Sequence, residues 1–371
     1  MQNIGFSPIK QQLQTHRYVI CEYLFALILV PLIILKLNFL SLCKTVEAVT
    51  LYNTGYIDMS SNIKKMPSRL LVMIAFATVY IVWGSTYFFI KVAVQGGLPP
   101  FLMGAFRFTT AGLLLMGWCF IRGDNIFVKK NIINASFSGI LLLFVANGAV
   151  IWSEQTLSSA LVAILVSCTP IWFVLIDRSN WAINFNSKTT IAGLIIGFAG
   201  VILLFGEQIN NIFSIGKDHS KLPWMLLLMI GSLSWAYGSL FSKYKLTTGS
   251  AQVNTAWQMI AAGIVFIPAG VIHHEFHNFN VNNISFSGWF AVIYLILFGS
   301  IAAFSAYVWL LQVRTATQVS TYAYVNPVIA VILGVLFAHE MISWIQIVGL
   351  FVVLSSVLLI NFSKYKKGKL I

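Results

Sequence analysis

The ten residues VWGSTYFFIK (82–91) recur later in the chain as SWAYGSLFSK (234–243). Trp83 aligns with Trp235 and Lys91 aligns with Lys243, and each pair is separated by 152 residues. An apolar helix needs neither tryptophan nor a closing lysine for its own stability. The recurrence therefore indicates a duplicated unit, in which these side chains are boundary markers, packing residues or parts of a site.

Further matches follow in the same order along the chain, with an offset that changes only by a few residues. Because five matches in order are not expected by chance in apolar sequence, we predict two halves, at residues 67–207 and 221–362. The further matches are AFRFTTAG (105–112) with AWQMIAAG (256–263), WSEQ (152–155) with WLLQ (309–312), Pro170 with Pro327, and IAGL (191–194) with IVGL (347–350).

The composition excludes a soluble domain. Of the 371 residues, 58% are hydrophobic and 9% are charged, and the mean hydropathy is +0.86. Soluble domains carry about 25% charged residues. Apolar runs of about 20 residues are the length of a transmembrane helix. We predict an all-α polytopic membrane protein with ten spans: 70–94, 99–121, 131–152, 157–177, 189–206, 222–242, 252–272, 286–310, 316–338 and 342–362.

The charges of the connectors predict the orientation. Alternate connectors and the C-terminal tail hold fifteen cations, whereas the other connectors hold only Lys217 and Lys221. Cytoplasmic loops are rich in Lys and Arg, so the C-terminus is expected in the cytoplasm of a cell-membrane protein and the net charge of +13 does not indicate nucleic acid. Five spans per half is an odd number, so the second half is expected to be inverted relative to the first.

Two segments lie outside the predicted halves. Residues 1–66 contain an apolar run interrupted by Pro31, Lys36 and Asn38. If this run spanned the membrane, its preceding cations would lie on the wrong side. We expect an interfacial or dispensable extension, or an upstream start site, rather than a cleaved signal peptide. Residues 363–371 form a basic tail that is expected in the cytoplasm.

The sequence resembles the EamA-type permeases of the drug/metabolite transporter superfamily. The matching segments are WGSTYFFIK (83–91), PPFLMGAFRF (99–108), AILVSCTPIW (163–172) and the long run from residue 324 to 350. The resemblance covers about residues 67–362. It implies ten spans in an inverted five-plus-five arrangement and a carrier, often an exporter, of amino acids or other small metabolites. His339-Glu340 stands where the family often has Gly-Glu, and the first half has no acidic residue at the matching place.

Arg107 is the main candidate for substrate binding. It lies near the middle of the second span, where a cation costs about 2.5–3.5 kcal/mol to insert. We therefore expect it to face the bundle interior or a water-filled cavity. A guanidinium there can bind a carboxylate or phosphate; the alternative is a structural tie to a helix end or to Glu154. Its counterpart in the second half is the neutral Gln258.

Other polar and aromatic side chains are candidates for the lining of the same site. Trp83 and Trp235 lie well inside their spans, so they line a cavity or pack between helices. Uncharged polar residues either bind substrate or make inter-helix hydrogen bonds. The predicted substrate-binding set is Arg107, Trp83, Trp235, Gln258, Asn147, Tyr237, Asn326 and Tyr322.

Four residues are candidates for gating. Pro170 and Pro327 occur at matched places and each removes an intrahelical hydrogen bond, which makes a hinge or a static kink. Lys91 lies near the outer boundary, either reaching the interface or lining the cavity. Glu154 is close to an outer helix end and is one of two acidic groups, with Glu340, that could titrate. No carboxylate lies deep in a span.

The sequence contains no ATP-binding loop of the GxxxxGK[ST] type, so we expect secondary transport without a cofactor. HHEFH (273–277) lacks the order of a zinc-binding HExxH motif and has no third ligand, so a solvated outer loop is expected there. An intramembrane enzyme or a membrane scaffold are the alternatives, and the spans lack a catalytic cluster. The expected partners are a small-molecule substrate and the lipid bilayer, with a homodimer left open.

Overall fold

A computed structural model describes residues 69–157, 159–204, 222–246, 249–277, 279–338 and 343–367. These residues form helices joined by turns and contain no β-strand. The N-terminal extension (1–66), the connector with Lys217 and Lys221, and the His339-Glu340 pair lie outside the described residues, so the predictions on them remain predictions.

The first half of the described chain contains seven helices. The third of them holds a π-helical segment at its centre, and the fourth and fifth are separated by a short break. The helices are α1 (Arg69–Gln95), α2 (Pro100–Ile121), α3 (Lys129–Ser153), α4 (Ser159–Val166), α5 (Thr169–Ile176), α6 (Trp181–Phe185) and α7 (Lys188–Leu204).

The second half contains six helices in a similar order. Its third helix also holds a π-helical segment, and a short helix again precedes a longer one. The helices are α8 (Leu222–Lys245), α9 (Ala251–Ile272), α10 (Phe286–Val313), α11 (Ala316–Val319), α12 (Tyr322–Ala338) and α13 (Trp344–Lys367).

Six of these helices are long and apolar enough to cross a membrane: α1, α2, α3, α8, α9 and α10. Within the described residues, α7 and α13 contain shorter apolar stretches, and the chain bends by 70° between Val162–Ile176 and Arg178–Phe185. The structure therefore describes a polytopic all-helical membrane protein. The count of ten spans stays a prediction.

The π-helical segments are Ile140–Ala146 in α3 and Leu295–Phe304 in α10. A shift of 157 residues, which also relates Pro170 to Pro327, places the first segment inside the second. A π-helical segment is rare and is often found at functional sites, because it displaces a carbonyl and rotates the side chains that follow. Two such segments at matched places point to the region between the halves.

The directions of the helices follow from their contacts. On α1, residues after Trp83 line the same cavity as residues before Trp235 on α8, so these two helices run antiparallel. Contacts of Ser85 with Tyr294 and of Phe89 with Phe290 show that α1 is also antiparallel to α10. Helix α2 packs along α9, and α7 packs along α13.

The α2–α9 contact depends on small residues. A Cβ atom on Gly112 would lie 2.7 Å from Cγ1 of Ile260, and one on Gly263 would lie 2.2 Å from Oγ1 of Thr109. Gly112 and Gly263 are counterparts in the sequence alignment of the two halves. Small residues allow helix backbones in a membrane to approach closely, so each half supplies one glycine to the same helix crossing.

The two candidate hinge prolines occupy different places. Pro170 lies in the first turn of α5, directly after the break that ends α4. Proline is well tolerated there because the N–H group it lacks would have no helical partner. Pro327 lies inside α12, five residues after its start at Tyr322. The helix break in the second half precedes Tyr322, so the proline and the break coincide only in the first half.

Candidate functional site

Four aromatic side chains meet at the centre of the bundle. The ring centroids of Trp83 and Trp235 are 5.3 Å apart, in an edge-to-face arrangement. Tyr307 and Tyr322 each lie 4.9 Å from Trp83, and 5.6 Å from each other. We call these four residues the aromatic cluster. The tryptophans that the sequence alignment pairs are therefore in direct contact.

Hydrogen bonds to α10 fix the orientation of both tryptophans. Trp83 donates from Nε1 to the carbonyl oxygen of Gly299 at 3.1 Å, and Gly299 belongs to the π-helical segment of α10. Trp235 donates from Nε1 to the hydroxyl of Tyr307 at 2.9 Å, and that hydroxyl also shares a hydrogen bond with Ser239. A buried indole N–H needs such a partner, so the π-helical segment helps to build the cluster.

A cavity with an empty volume of about 610 Å³, part of it open to solvent, adjoins the aromatic cluster. Trp83, Trp235 and Tyr322 line it. From the cluster, the lining continues along α1 as far as Ile90, along α3 to Val150 and backward along α8 to Leu228. These directions lead to one end of the bundle, which we call the Lys91 end. The opposite end, where α8 and α10 finish, is the Lys243 end.

Arg107 lies in the wall of this cavity and is only 2% exposed. Its Nε atom donates to Oγ of Ser300 at 2.9 Å, and its guanidinium carbon lies 4.7 Å from the centre of the Phe108 ring. The Nη1 atom is buried and has no hydrogen-bond partner among the described residues. Among the described residues, the hydrogen bond of this guanidinium goes to a neutral serine of α10, which leaves donor capacity for an anion.

Two asparagines add acceptors to the same cavity. Asn147 and Asn326 both line it, and the Oδ1 atom of each is buried without a hydrogen-bond partner among the described residues. Buried polar atoms are nearly always paired in folded proteins. One donor and two acceptors left unpaired around one cavity form a surface suited to a ligand that carries both an anionic group and N–H or O–H donors.

The other two residues of the predicted substrate-binding set lie outside the cavity lining. Gln258 is buried and donates from Nε2 to Ser138 at 2.9 Å and to Ser242 at 3.0 Å, so it ties α9 to α3 and α8. Tyr237 is 48% exposed and lies in a lateral groove beside Asp177. Residue type and depth in a span do not reveal which face of a helix a side chain occupies. The sequence therefore predicts Gln258 and Tyr237 in the same set as the cavity residues.

The candidate gating residues lie near the Lys91 end or beside the cavity. Lys91 is exposed, and it is close enough to Glu154 for their charges to interact. Both carboxylate oxygens of Glu154 are buried and have no hydrogen-bond partner among the described residues. Pro170 follows Thr169, which lines the cavity, and Pro327 follows Asn326, which also lines it.

Sequence reasoning missed a lysine with two strong contacts. Lys243 donates from Nζ to the carbonyl oxygens of Leu311 and Arg314, the second at 2.8 Å. Both carbonyls lie at the C-terminal end of α10, where a positive charge also interacts favourably with the helix dipole. Lys243 thus joins the ends of α8 and α10. Its match with Lys91 was visible in the sequence, but its partners were not.

Three further residues, two in the cavity lining and one in the aromatic cluster, were missed. Thr86 and Tyr87 line it one turn after Trp83, and Tyr307 lies in the aromatic cluster. The helical spacing from Trp83 could have identified the first two, because residues three and four apart share a helix face. Tyr307 corresponds to Val150 at the offset of 157, so symmetry gave no aromatic signal for it.

The histidine-rich segment packs against the Lys91 end. Glu275 accepts hydrogen bonds from the backbone N–H groups of Phe101 and Leu102, at 3.2 and 2.9 Å, and so caps the start of α2. Burial raises the pKa of Glu275, and these two hydrogen bonds oppose that rise. His273 stacks near Phe101, with ring centroids 4.9 Å apart. The segment therefore ties α9 to the first half.

The profile of the EamA-like transporter family matches the chain twice, at residues 70–206 and 222–362. This chain belongs to the EamA-like transporter family. The two matches cover almost all described residues and lie within the two predicted ranges, 67–207 and 221–362. The resemblance of the sequence to EamA-type permeases of the drug/metabolite transporter superfamily is thereby confirmed.

Known proteins of this family are similar along most of the chain. The inner membrane transporter YedA of Escherichia coli is 37% identical over 294 residues, which cover 78% of this chain and 90% of YedA. A WAT1-related chloroplastic protein of Arabidopsis thaliana is 27% identical and covers 76% of this chain and 67% of its own length. A solved crystal structure superposes on this chain with a TM-score of 0.64 and is 17% identical in sequence. The superposition covers 81% of this chain and 99% of the chain in that structure. The chain is a multi-pass membrane transporter.

Proposed function

We propose that this EamA-like protein is a secondary transporter that exports a small anionic or zwitterionic metabolite, such as an amino acid. The observation that carries this proposal is Arg107, a buried cation with an unpaired nitrogen in the wall of a central cavity. A buried guanidinium without a carboxylate is unfavourable, and a bound anion would complete it. Asn147 and Asn326 supply acceptors for the donor groups of the same ligand.

The aromatic cluster supplies the remaining part of the proposed site. Trp83, Trp235 and Tyr322 border the same cavity as the polar groups. Such rings bury a large apolar area with little loss of side-chain freedom. A ligand with a charged head and an apolar body of modest size therefore fits the lining. Nothing in the mechanism requires a cofactor.

Alternating access between two inverted halves is the proposed mechanism, with ten spans in all. The double match of the family profile, the π-helical segments at matched places and the antiparallel direction of α1 and α8 support it. In transporters built from inverted repeats, the site lies between the halves near the membrane midplane. The direct contact between the paired tryptophans supports such a site. The charges of the connectors support a cytoplasmic C-terminus.

Counterflow in proteoliposomes tests this function. The purified protein is reconstituted into vesicles preloaded with one unlabelled metabolite, and uptake of the same labelled metabolite is measured over a panel of amino acids, other carboxylates and neutral analogues. We expect counterflow for at least one carboxylate-bearing compound and none for its neutral amide. Counterflow confined to neutral compounds or to cations would contradict the role of Arg107.

A further inference from the structure

We propose that Lys243 and Lys91 are reciprocal latches that close the two ends of the transport pathway in turn. The proposal rests on the proposed alternating access and specifies how each closed end is held. In this structure the latch at the Lys243 end is engaged and the latch at the Lys91 end is released.

The engaged latch is defined by hydrogen bonds. Lys243 on α8 binds the carbonyl oxygens of Leu311 and Arg314 at the end of α10. One and two turns earlier, Ser239 and Trp235 of α8 both bond to the hydroxyl of Tyr307 on α10. These contacts hold α8 and α10 together from the aromatic cluster to the Lys243 end. Among the described residues, the lining of the cavity continues from the aromatic cluster toward the other end.

The matching residues of the first half have none of these contacts. Lys91 corresponds to Lys243, yet it is exposed and, among the described residues, it interacts with the charge of Glu154 without a hydrogen bond. Trp83 corresponds to Trp235, but it bonds to Gly299 of α10 rather than to α3. Along α1 and α3, cavity-lining residues replace inter-helix bonds as far as Ile90 and Val150. At the Lys91 end a cavity lined by apolar side chains thus lies where hydrogen bonds join the helices at the Lys243 end.

The offsets identify the closed partners of Lys91. At the offset of 157 that relates α3 to α10, Leu311 and Arg314 correspond to Glu154 and Leu157. Lys91 would bind the carbonyl oxygens of those two residues at the end of α3. Glu154 also brings a carboxylate that the second half lacks, and its two buried oxygens have no hydrogen-bond partner among the described residues. In the closed state of this end, a hydrogen bond from Lys91 would pair this buried carboxylate.

The two latches exclude each other because α1 and α8 share the aromatic cluster and line the same cavity from opposite directions. Closing α1 onto α3 removes the cavity at the Lys91 end. Access to the central site then requires that α8 leaves α10, which breaks the bonds of Lys243. Each lysine therefore stabilises only one of the two states. A group shifts the equilibrium between two states only if it interacts more favourably with one of them.

Accessibility of one reporter cysteine tests the latches without any substrate. The native cysteines are replaced, Val150→Cys is introduced in the cavity wall, and its reaction rate with a membrane-impermeant thiosulfonate is measured from each face of the membrane in turn. Removal of a charged hydrogen-bonding group shifts an equilibrium by about tenfold or more. We expect Lys243→Gln to slow labelling from the Lys91 end by that factor, and the double variant with Lys91→Gln to restore it.

Restoration by the second substitution separates a latch from a merely structural lysine, since a folding defect would not be repaired by removing another lysine. Lys245→Gln, at the same end as Lys243 but exposed, is the matched control and is expected to label as the parent does. Unchanged labelling in Lys243→Gln, or no recovery in the double variant, overturns the proposal. Labelling shifts without counterflow of any metabolite would refute the transport function alone, and counterflow without labelling shifts would refute the latches alone.

Discussion

The two halves of the molecule place different side chains at positions that the sequence alignment matches. At matched positions the first half carries Arg107 beside the cavity, and the second carries Gln258, which is tied by two hydrogen bonds to serines of other helices. Lys91 is exposed, whereas Lys243 is bonded to carbonyl oxygens. The difference teaches that matched positions in the two halves carry side chains with different contacts, and the proposed recognition of the substrate falls to the first half.

The largest expected effect is a loss of counterflow in a variant of Arg107 that a variant of Gln258 does not show. Arg107→Gln places in the first half the residue that the second half already has, and we expect it to lower counterflow by about 100-fold, because a charged hydrogen bond to substrate and its orientation are lost. Arg107→Lys keeps the charge but not the planar fork, so it should recover only part of the activity.

Gln258→Asn is the matched control in the same assay. Because Gln258 ties three helices and does not line the cavity, its shortening should lower the melting temperature while the folded fraction still transports. Equal loss of transport in both variants, at equal amounts of folded protein, would mean that the two positions do not differ in role.

A second expected effect concerns the place where α3 of the first half meets α9 of the second. A Cβ atom on Gly139 would lie 2.2 Å from the backbone oxygen of Gln258. Over-packing of this kind typically costs about 1–3 kcal/mol. We expect Gly139→Ala to reduce the yield of folded protein and its melting temperature. Gly117→Ala, where no atom lies within 4 Å, should be neutral, and a similar loss there would contradict this contact.

A third, smaller effect tests whether the π-helical segment of α10 positions the guanidinium. A Cβ atom on Gly299 would lie 3.1 Å from Nη2 of Arg107 and 3.3 Å from Cγ2 of Thr86. We expect Gly299→Ala to displace the guanidinium and lower counterflow by about tenfold, since a misplacement of 1 Å can cost up to 100-fold in a preorganised site. The melting temperature should stay near the parent value. Unchanged counterflow would show that Arg107 does not depend on this segment.

The smallest effect concerns Glu275. Loss of an acceptor at a helix start costs about 1 kcal/mol, so Glu275→Ala should lower the melting temperature slightly without changing counterflow. Burial raises the pKa of Glu275 in the folded state, so the folded protein binds this proton more tightly than the unfolded chain does. The contribution of this group is therefore present at low pH and is lost as the pH rises through the folded-state pKa.

A comparison with Glu275→Gln tests that sign. The melting temperature of the parent minus that of Glu275→Gln is expected to increase as the pH falls from about 7 to about 5, because only the parent can take up the proton. A difference that decreases over this interval would contradict the direction of the shift.

The all-helical membrane class and the family could be predicted from the sequence, because apolar runs of helix length and the quoted motifs each extend over a long segment. The count of ten spans, the inverted repeat and the orientation stay predictions. The candidate site could be predicted in part: Arg107, Trp83, Trp235, Asn147, Tyr322 and Asn326 do line one cavity. Their role in binding stays a prediction. The sequence could not separate Gln258 and Tyr237 from this set, since a rotation of one residue along a helix changes the side chain's face by about 100°.

The π-helical segments explain part of the remaining difference between the predicted and the observed site. If α10 is assumed to be a regular α-helix, two contacts cannot be predicted. These are the hydrogen bond from Trp83 to the carbonyl oxygen of Gly299 and the hydrogen bond from Arg107 to Ser300. The hydrogen-bond partners of Lys243 could not be predicted either, because they are backbone carbonyls at the end of another helix. Contacts that depend on the register of two distant segments leave no trace in residue type or spacing.

The most direct test of the account compares the affinity of a transported carboxylate with that of its neutral amide, in the parent protein and in Arg107→Gln. If the unpaired guanidinium recognises the carboxylate, the parent binds the carboxylate at least tenfold more tightly, in line with a charge-assisted bond, and Arg107→Gln binds both compounds equally. Gln258→Asn should retain the preference of the parent. An equal preference in all three proteins would contradict the central claim that Arg107 binds the anionic group of the substrate.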